Sequence, residues 1–223
     1  MKLSVIIPCY NEEDTIKIII EKVISVPIEK EIVVVDDFSN DGTRIILKNE
    51  IESKVNKVLF LDKNCGKGYA IKKGIEIAEG DAIVIQDADL EYDPNDYIKL
   101  TNDIFSNNAE VVYGSRFLHQ RKKGYLANRV ANSFLTWLSN VFTHQKLTDM
   151  ETCYKCFKRE IIQSINLEEN RFGFEPEVTS KISKLGIKIR EVPISYNPRT
   201  NQEGKKINFK DGLRAIYCIF KYK

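Results

Sequence analysis

Short β-branched runs alternate with helical stretches through the first half of this chain, and that alternation leaves few folds open. Residues 3–7, 32–35, 55–61 and 82–85 are apolar and rich in Val and Ile, the composition of strands buried on both faces. Between them, residues 14–26, 43–51 and 68–79 carry apolar side chains at helical spacing. Strands separated by helices of this size need crossover connections. The pattern therefore predicts an α/β fold, a mostly parallel sheet with helices on both faces. A fifth strand is expected at residues 111–113.

In open sheets of this kind, ligands bind outside the carboxyl ends of the strands, and here those exits are polar. The first strand runs out into Tyr10-Asn11-Glu12 and the second into Asp36-Asp37. The third unit ends in Gly66-Lys67-Gly68, the fourth in Asp87-Ala88-Asp89 and the fifth in Gly114-Ser115-Arg116. Each alone reads as a loop; five on one edge read as a site. If the chain stays extended, Asp87 and Asp89 point the same way. Two carboxylates side by side repel unless a cation lies between them. Hard oxygen ligands suit Mg²⁺ or Mn²⁺, ions that keep positions open for water and phosphate oxygens. The competing reading is a pair of turn-capping aspartates.

Other chemistries lack their residues. No GxGxxG follows the first strand, and Gly66-Lys67-Gly68 has neither the spacing nor the Ser/Thr of a P-loop. Two histidines leave little for a His-based triad or zinc site. Cys153 and Cys156 form a lone CxxC that reads as two small packing residues, and the sparse, odd set of five cysteines fits reduced thiols in a cytosol. The N-terminal apolar run is too soon interrupted for a signal peptide, and no 18-residue apolar stretch occurs.

The net charge of +2 hides an asymmetry: residues 1–100 carry −7 and residues 171–223 carry +7. A basic C-terminal quarter suits phosphate ligands or an anionic membrane surface, or is a solvated face. Residues 125–145 predict a long helix with no charge between Arg129 and Lys146, and residues 208–222 a basic amphipathic helix. Either would dock on the core or lie against lipid, where Trp137 and its neighbours suit an interface.

Taken in order, Pro8-x-Tyr10-Asn11-Glu12, Val35-Asp36-Asp37-x-Ser39-x-Asp41-Gly42-Thr43, Gly66-Lys67-Gly68, Asp87-Ala88-Asp89 and Gly114-Ser115-Arg116 resemble the motifs of a family 2 glycosyltransferase with the nucleotide-sugar-binding GT-A fold. Within that family the chain is similar to the dolichyl-phosphate mannose synthase branch. The resemblance implies one domain over residues 1–223, with a nucleotide-sugar-binding half at 1–116 and an acceptor- and membrane-facing half at 117–223. It implies that Pro8, Tyr10, Glu12, Val35 and Asp37 hold the base and ribose of a GDP- or UDP-hexose. Asp87, Ala88 and Asp89 would engage the diphosphate, and Asp87, Asp89 and Glu91 the Mg²⁺ or Mn²⁺. Arg116, Arg129 and Ser133 would meet the phosphate of a polyprenyl (dolichyl or undecaprenyl) acceptor. Arg199, in the basic loop 197–206, would reach the donor. An anionic membrane surface is the expected partner, nucleic acid is not, and the expected location is the cytoplasmic face of a membrane.

The chemistry agrees with that pattern. A lipid monophosphate is already anionic near neutral pH, so no base is needed to create the nucleophile. The need is cationic positioning of two anions that repel, with stabilisation of the departing nucleoside diphosphate. Asp89 and Arg116 are the expected catalytic groups. Asp149 would orient the acceptor, act as base toward a hydroxyl acceptor, or merely cap a turn. A glycan-hydroxyl acceptor, a nucleotidyltransferase and a non-catalytic nucleotide-sugar-binding module remain the alternatives. Glu175 and Glu177 would line the site or open a helix.

Overall fold

The computed structural model describes residues 1–118, 126–198 and 209–223. Seven strands form one sheet in the order β3-β2-β1-β4-β6-β5-β7. They are β1 (Leu3–Cys9), β2 (Lys30–Asp36), β3 (Lys57–Phe60), β4 (Ala82–Ile85), β5 (Val111–Ser115), β6 (Lys155–Lys158) and β7 (Ile189–Pro193). β6 pairs antiparallel with both β4 and β5, while every other pair is parallel. All strands but β6 therefore run the same way, and their carboxyl ends share one edge.

Val5, Ile6 and Ile7 on β1 and Val33, Val34 and Val35 on β2 are wholly buried. Successive residues of a strand face opposite sides, so helices cover both faces. Burial of each such side chain contributes about 1.5–3 kcal/mol. In α1 (Ile16–Ser25) the buried residues are Ile16, Ile19, Ile20 and Val23, a single helical stripe that Pro27 then ends. The helix expected at 43–51 is shorter: α2 (Thr43–Ile46) widens into a π-helical turn at Leu47–Ile51 and a 3₁₀ turn at Glu52–Lys54. The crossovers are completed by α3 (Lys67–Ile77) and α4 (Tyr97–Phe105).

The second half supplies α5 (Leu126–Thr143), α6 (Arg159–Ser164), α7 (Phe174–Lys184) and α8 (Phe209–Tyr222). The choice for α5 between core and lipid resolves by face. Leu135, Thr136 and Ser139 are buried, whereas Val130, Phe134, Trp137 and Val141 are exposed along the opposite stripe. On α8, Ala215, Cys218 and Ile219 are buried while Leu213, Tyr217 and Phe220 face out. Phe142 and Phe220 meet with ring centroids 5.2 Å apart, which joins the two bare stripes. Among the described residues no helix is long and apolar enough to cross a membrane. All five cysteines are free, and Cys153 and Cys156 are buried in the core, as the packing interpretation of the CxxC requires.

Candidate active site

The site begins where β1 loses a neighbour. Its pairing with β4 ends at Ile6 opposite Ile85, so Pro8, which has no N–H to donate, sits past the end of that ladder. The loops leaving β1 and β2 are laced together. Asn11 N–H donates to Ser39 Oγ (3.0 Å), Asn11 and Asn40 exchange two hydrogen bonds, and Glu12 N–H donates to Thr43 Oγ1 (2.8 Å).

The two adjacent aspartates divide their work. Asp36 is wholly buried and takes Arg44 Nε at 2.5 Å. Asp37 accepts the backbone N–H groups of Cys65 and Gly66, both at 2.7 Å. Burial pushes the Asp37 carboxyl upward, and those two bonds oppose it. Gly66 has φ +104°, and a Cβ there would lie 2.4 Å from the Asn170 carbonyl oxygen. Only glycine fits a turn that is both left-handed and pressed against backbone.

From that turn α3 sends Lys67 across to Asp87. The ammonium lies 2.8 Å from Asp87 Oδ1 and 3.7 Å from Glu175 Oε1. Burial alone would lower Lys67, but the carboxylates outweigh it and hold the ammonium well above its usual range. Behind Asp87, Tyr97 and Tyr154 both donate to Gln86 Oε1, and Gln86 Nε2 donates to the Asp87 carbonyl (2.9 Å).

The extended geometry expected for Asp87-Ala88-Asp89 is corrected here: β4 stops at Ile85, Ala88 and Asp89 lie in a turn, and Leu90 adopts φ +64°. A bulky residue in that region is strained. Asp89 Oδ1 accepts Glu91 N–H at 3.2 Å, and Glu91 Oε2 accepts the Tyr196 hydroxyl at 3.1 Å. Among the described residues no three His, Cys, Asp or Glu side chains gather into a metal cage. Two hard carboxylates at one turn nonetheless match what Mg²⁺ takes from a protein when phosphates and water complete its shell.

At the end of β5, Arg116 is clamped. Asp149, wholly buried, accepts from its backbone N (3.0 Å), Nε (2.7 Å) and Nη2 (2.7 Å). Tyr196 stacks below the guanidinium, 5.1 Å from its ring centroid. The antiparallel β6 explains how Asp149 arrives: a strand running backward delivers the loop before it to the carboxyl edge of the others. Lys155 holds that loop from beneath, donating to the carbonyls of Met150 and Thr152, while Thr136 Oγ1 of α5 accepts Met150 N–H at 3.1 Å.

Residues 4–165 match the sequence model described as Glycosyl transferase family 2. The chain belongs to that family. It is 30% identical to the low-salt glycan biosynthesis hexosyltransferase Agl6 of Haloferax volcanii over 96% of this chain and 52% of the relative. It is 25% identical to the dodecaprenyl-phosphate galacturonate synthase of Rhizobium johnstonii over 92% of this chain and 62% of that protein. The chain thus spans little more than half the length of these relatives. In fold it superposes on the glucosyl-3-phosphoglycerate synthase of Mycobacterium tuberculosis, solved with Mn²⁺, UDP and glucosyl-3-phosphoglycerate, with a TM-score of 0.77. That likeness has 19% identity and covers 99% of this chain and 79% of the other.

In this family member, then, the sheet order brings Pro8, Asp37, Asp87, Asp89 and Arg116 to one edge. Arg129 and Ser133 lie one turn apart on α5. Ser133 is exposed, and Arg129 Nε is buried with no hydrogen-bond partner among the described residues. Arg199 lies outside the described residues. Sequence reasoning assigned no role to Lys67, although its Gly-Lys-Gly setting at a strand exit marked it. Glu175 lines the site beside Lys67. Glu177 instead accepts Glu168 N–H and Glu169 N–H and pairs with Lys181 at 2.7 Å. Glu151 has one buried oxygen without a hydrogen-bond partner among the described residues, and burial, with Glu175 beside it, pushes its carboxyl up to about 8.

Proposed function

We propose that this glycosyltransferase transfers a hexose, with inversion, from a nucleoside diphosphate sugar to a polyprenyl phosphate at an anionic membrane surface. The observation that carries this reading is Arg116, largely covered and clamped by the buried Asp149 on the same edge as Asp87 and Asp89. A planar guanidinium held rigid suits phosphate recognition, and rigidity matters when two anions must be brought together. The relatives support the same direction. One is by name a dodecaprenyl-phosphate galacturonate synthase, and the fold relative holds UDP with Mn²⁺ or with Mg²⁺.

Asp87 and Asp89 would hold the divalent cation, which would neutralise charge on the departing nucleoside diphosphate. Lys67 places a second cation at Asp87 and would share that task. Asp37 fixes the Gly66 turn, and Pro8, Tyr10, Glu12 and Val35 lie on the β1 and β2 side where base and ribose would rest. Arg116, with Arg129 and Ser133, would orient the acceptor phosphate, which attacks without prior deprotonation. A donor panel of GDP- and UDP-hexoses tests this, run with Mg²⁺ or Mn²⁺, with and without polyprenyl phosphate, and scored by product mass. The expected product is a polyprenyl phosphate hexose with release of nucleoside diphosphate. Pyrophosphate release would indicate a nucleotidyltransferase, and turnover only with a glycan hydroxyl would transfer the role of acceptor handling to a base such as Glu175.

The bare stripes of α5 and α8 support the membrane half of the reading. Trp137, Phe134, Tyr217 and Phe220 are about half exposed, and the Lys223 ammonium lies 5.0 Å from the Phe142 ring and 5.5 Å from that of Phe220. An apolar face with a basic rim suits an interfacial helix. Each basic residue near an anionic surface contributes about 1 kcal/mol, screened by salt. Flotation with vesicles containing anionic lipid is expected at low salt and should weaken at high salt. Flotation indifferent to lipid charge would remove the basic rim from the account, and no flotation at low salt would end the membrane reading.

A further inference from the structure

Asp149 holds Arg116, but something must hold Asp149. The turn that carries it is grasped by a carboxylate from an edge strand. Glu191, on β7, accepts Thr148 N–H at 2.8 Å and the Thr148 hydroxyl at 3.0 Å through Oε2, and Asp149 N–H at 3.0 Å through Oε1. The Thr148 hydroxyl also meets Ser115 Oγ at 2.6 Å, one residue before Arg116. β7 lies beside β5 with Glu191 opposite Tyr113, so a single carboxylate ties the turn to the strand pair that presents the guanidinium.

We propose that Glu191 is a positioning residue for Arg116, acting through the Thr148–Asp149 turn and thereby setting how the acceptor phosphate is received. The residue type is demanding. Three donors converge on it from both sides, so both of its oxygens must accept. A glutamine has the same shape but offers one accepting oxygen and turns an NH₂ group toward a backbone N–H. Burial raises the Glu191 carboxyl while the three donors oppose that shift, which fits a carboxylate kept for these contacts and not for solvent. The inference rests on the reading of Arg116 as the acceptor-phosphate ligand, and the test separates the two.

Glu191→Gln, Arg116→Ala and the double variant are compared with the parent chain. Transfer is measured across polyprenyl phosphate concentrations, donor affinity by calorimetry, and the Arg116 Nε–H resonance by ¹H–¹⁵N NMR, assigned through its loss in Arg116→Ala. Glu191→Gln is expected to lower acceptor kcat/KM about ten-fold, as small misplacements of a positioning group do, with donor affinity within about two-fold. It should also shift the Nε–H resonance. The double variant should be no worse than Arg116→Ala, because residues acting through one contact are not additive. If Glu191→Gln does not fold, Thr148→Val carries the test; it keeps the backbone bonds and removes only the hydroxyl, and should give the same pattern more weakly. An unchanged resonance together with unchanged acceptor kcat/KM, or losses that add in the double variant, would overturn the proposal. If Arg116→Ala leaves acceptor use intact while the resonance still shifts in Glu191→Gln, the acceptor reading has failed and the positioning role stands.

Discussion

Asp89→Asn is expected to lower donor turnover by roughly 10²-fold or more, a transition-state cost of about 3 kcal/mol. Asp89 Oδ1 accepts the Glu91 N–H at 3.2 Å, and the amide oxygen of asparagine can take that bond. Shape and turn survive while one charge is lost. Melting temperature should stay level or rise, because two carboxylates close in sequence no longer repel in the metal-free protein. Manganese titration by calorimetry, kcat with Mg²⁺ or Mn²⁺, and thermal melts supply the three readouts. Parent-like turnover in the variant, or full parent activity in excess chelator, would end the metal role of Asp89.

Asp149→Ala is expected to cost both stability and transfer. It removes the partner of a guanidinium whose side chain is only 10% exposed. Breaking a buried pair from one side typically costs about 3–5 kcal/mol, since the remaining charge is stranded. Transfer should also fall about 10²-fold as Arg116 loses its geometry. Urea unfolding and acceptor kinetics read the two effects. Loss of transfer without loss of stability would instead indicate that Asp149 acts on substrate directly, as a base toward a hydroxyl. In the structure the Asp149 carboxylate is engaged three times by Arg116, which is the geometry of an orienting group.

Much of the nucleotide-side architecture could be read directly from residue order. β1, β2, β4 and β5 are short β-branched runs, α1 and α3 show helical spacing, and their polar exits could be placed on one edge because parallel crossovers leave no other arrangement. The limits fall where structure depends on distant partners. Lys155-Cys156-Phe157-Lys158 is half charged and four residues long, and nothing local marks it as a strand. It becomes β6 because it inserts between β4 and β5. The extended run expected through Asp87 and Asp89 breaks at Ile85, since β6 stops pairing with β4 at Val84 and β1 at Ile85. Helix α5 carries no charge after Arg129, and its apolar residues compete with Ser and Thr for the core side, so its pattern could not tell the docked face from the bare one; packing against α7, α8 and the Met150 loop decided it.

By itself, the sequence determined the βαβ alternation, the edge that carries the site and the residue types that converge there, because periodicity and strand exits are local properties. Which charges pair was left to the tertiary structure. Lys67 reaches Asp87, Glu191 reaches Thr148 and Asp149, and Asp149 reaches Arg116 across 33 positions. Lys67 meets Asp87 because α3 begins at the edge where β4 ends; the other contacts exist because one antiparallel strand, entering an otherwise parallel sheet, turns its preceding loop back to that common edge.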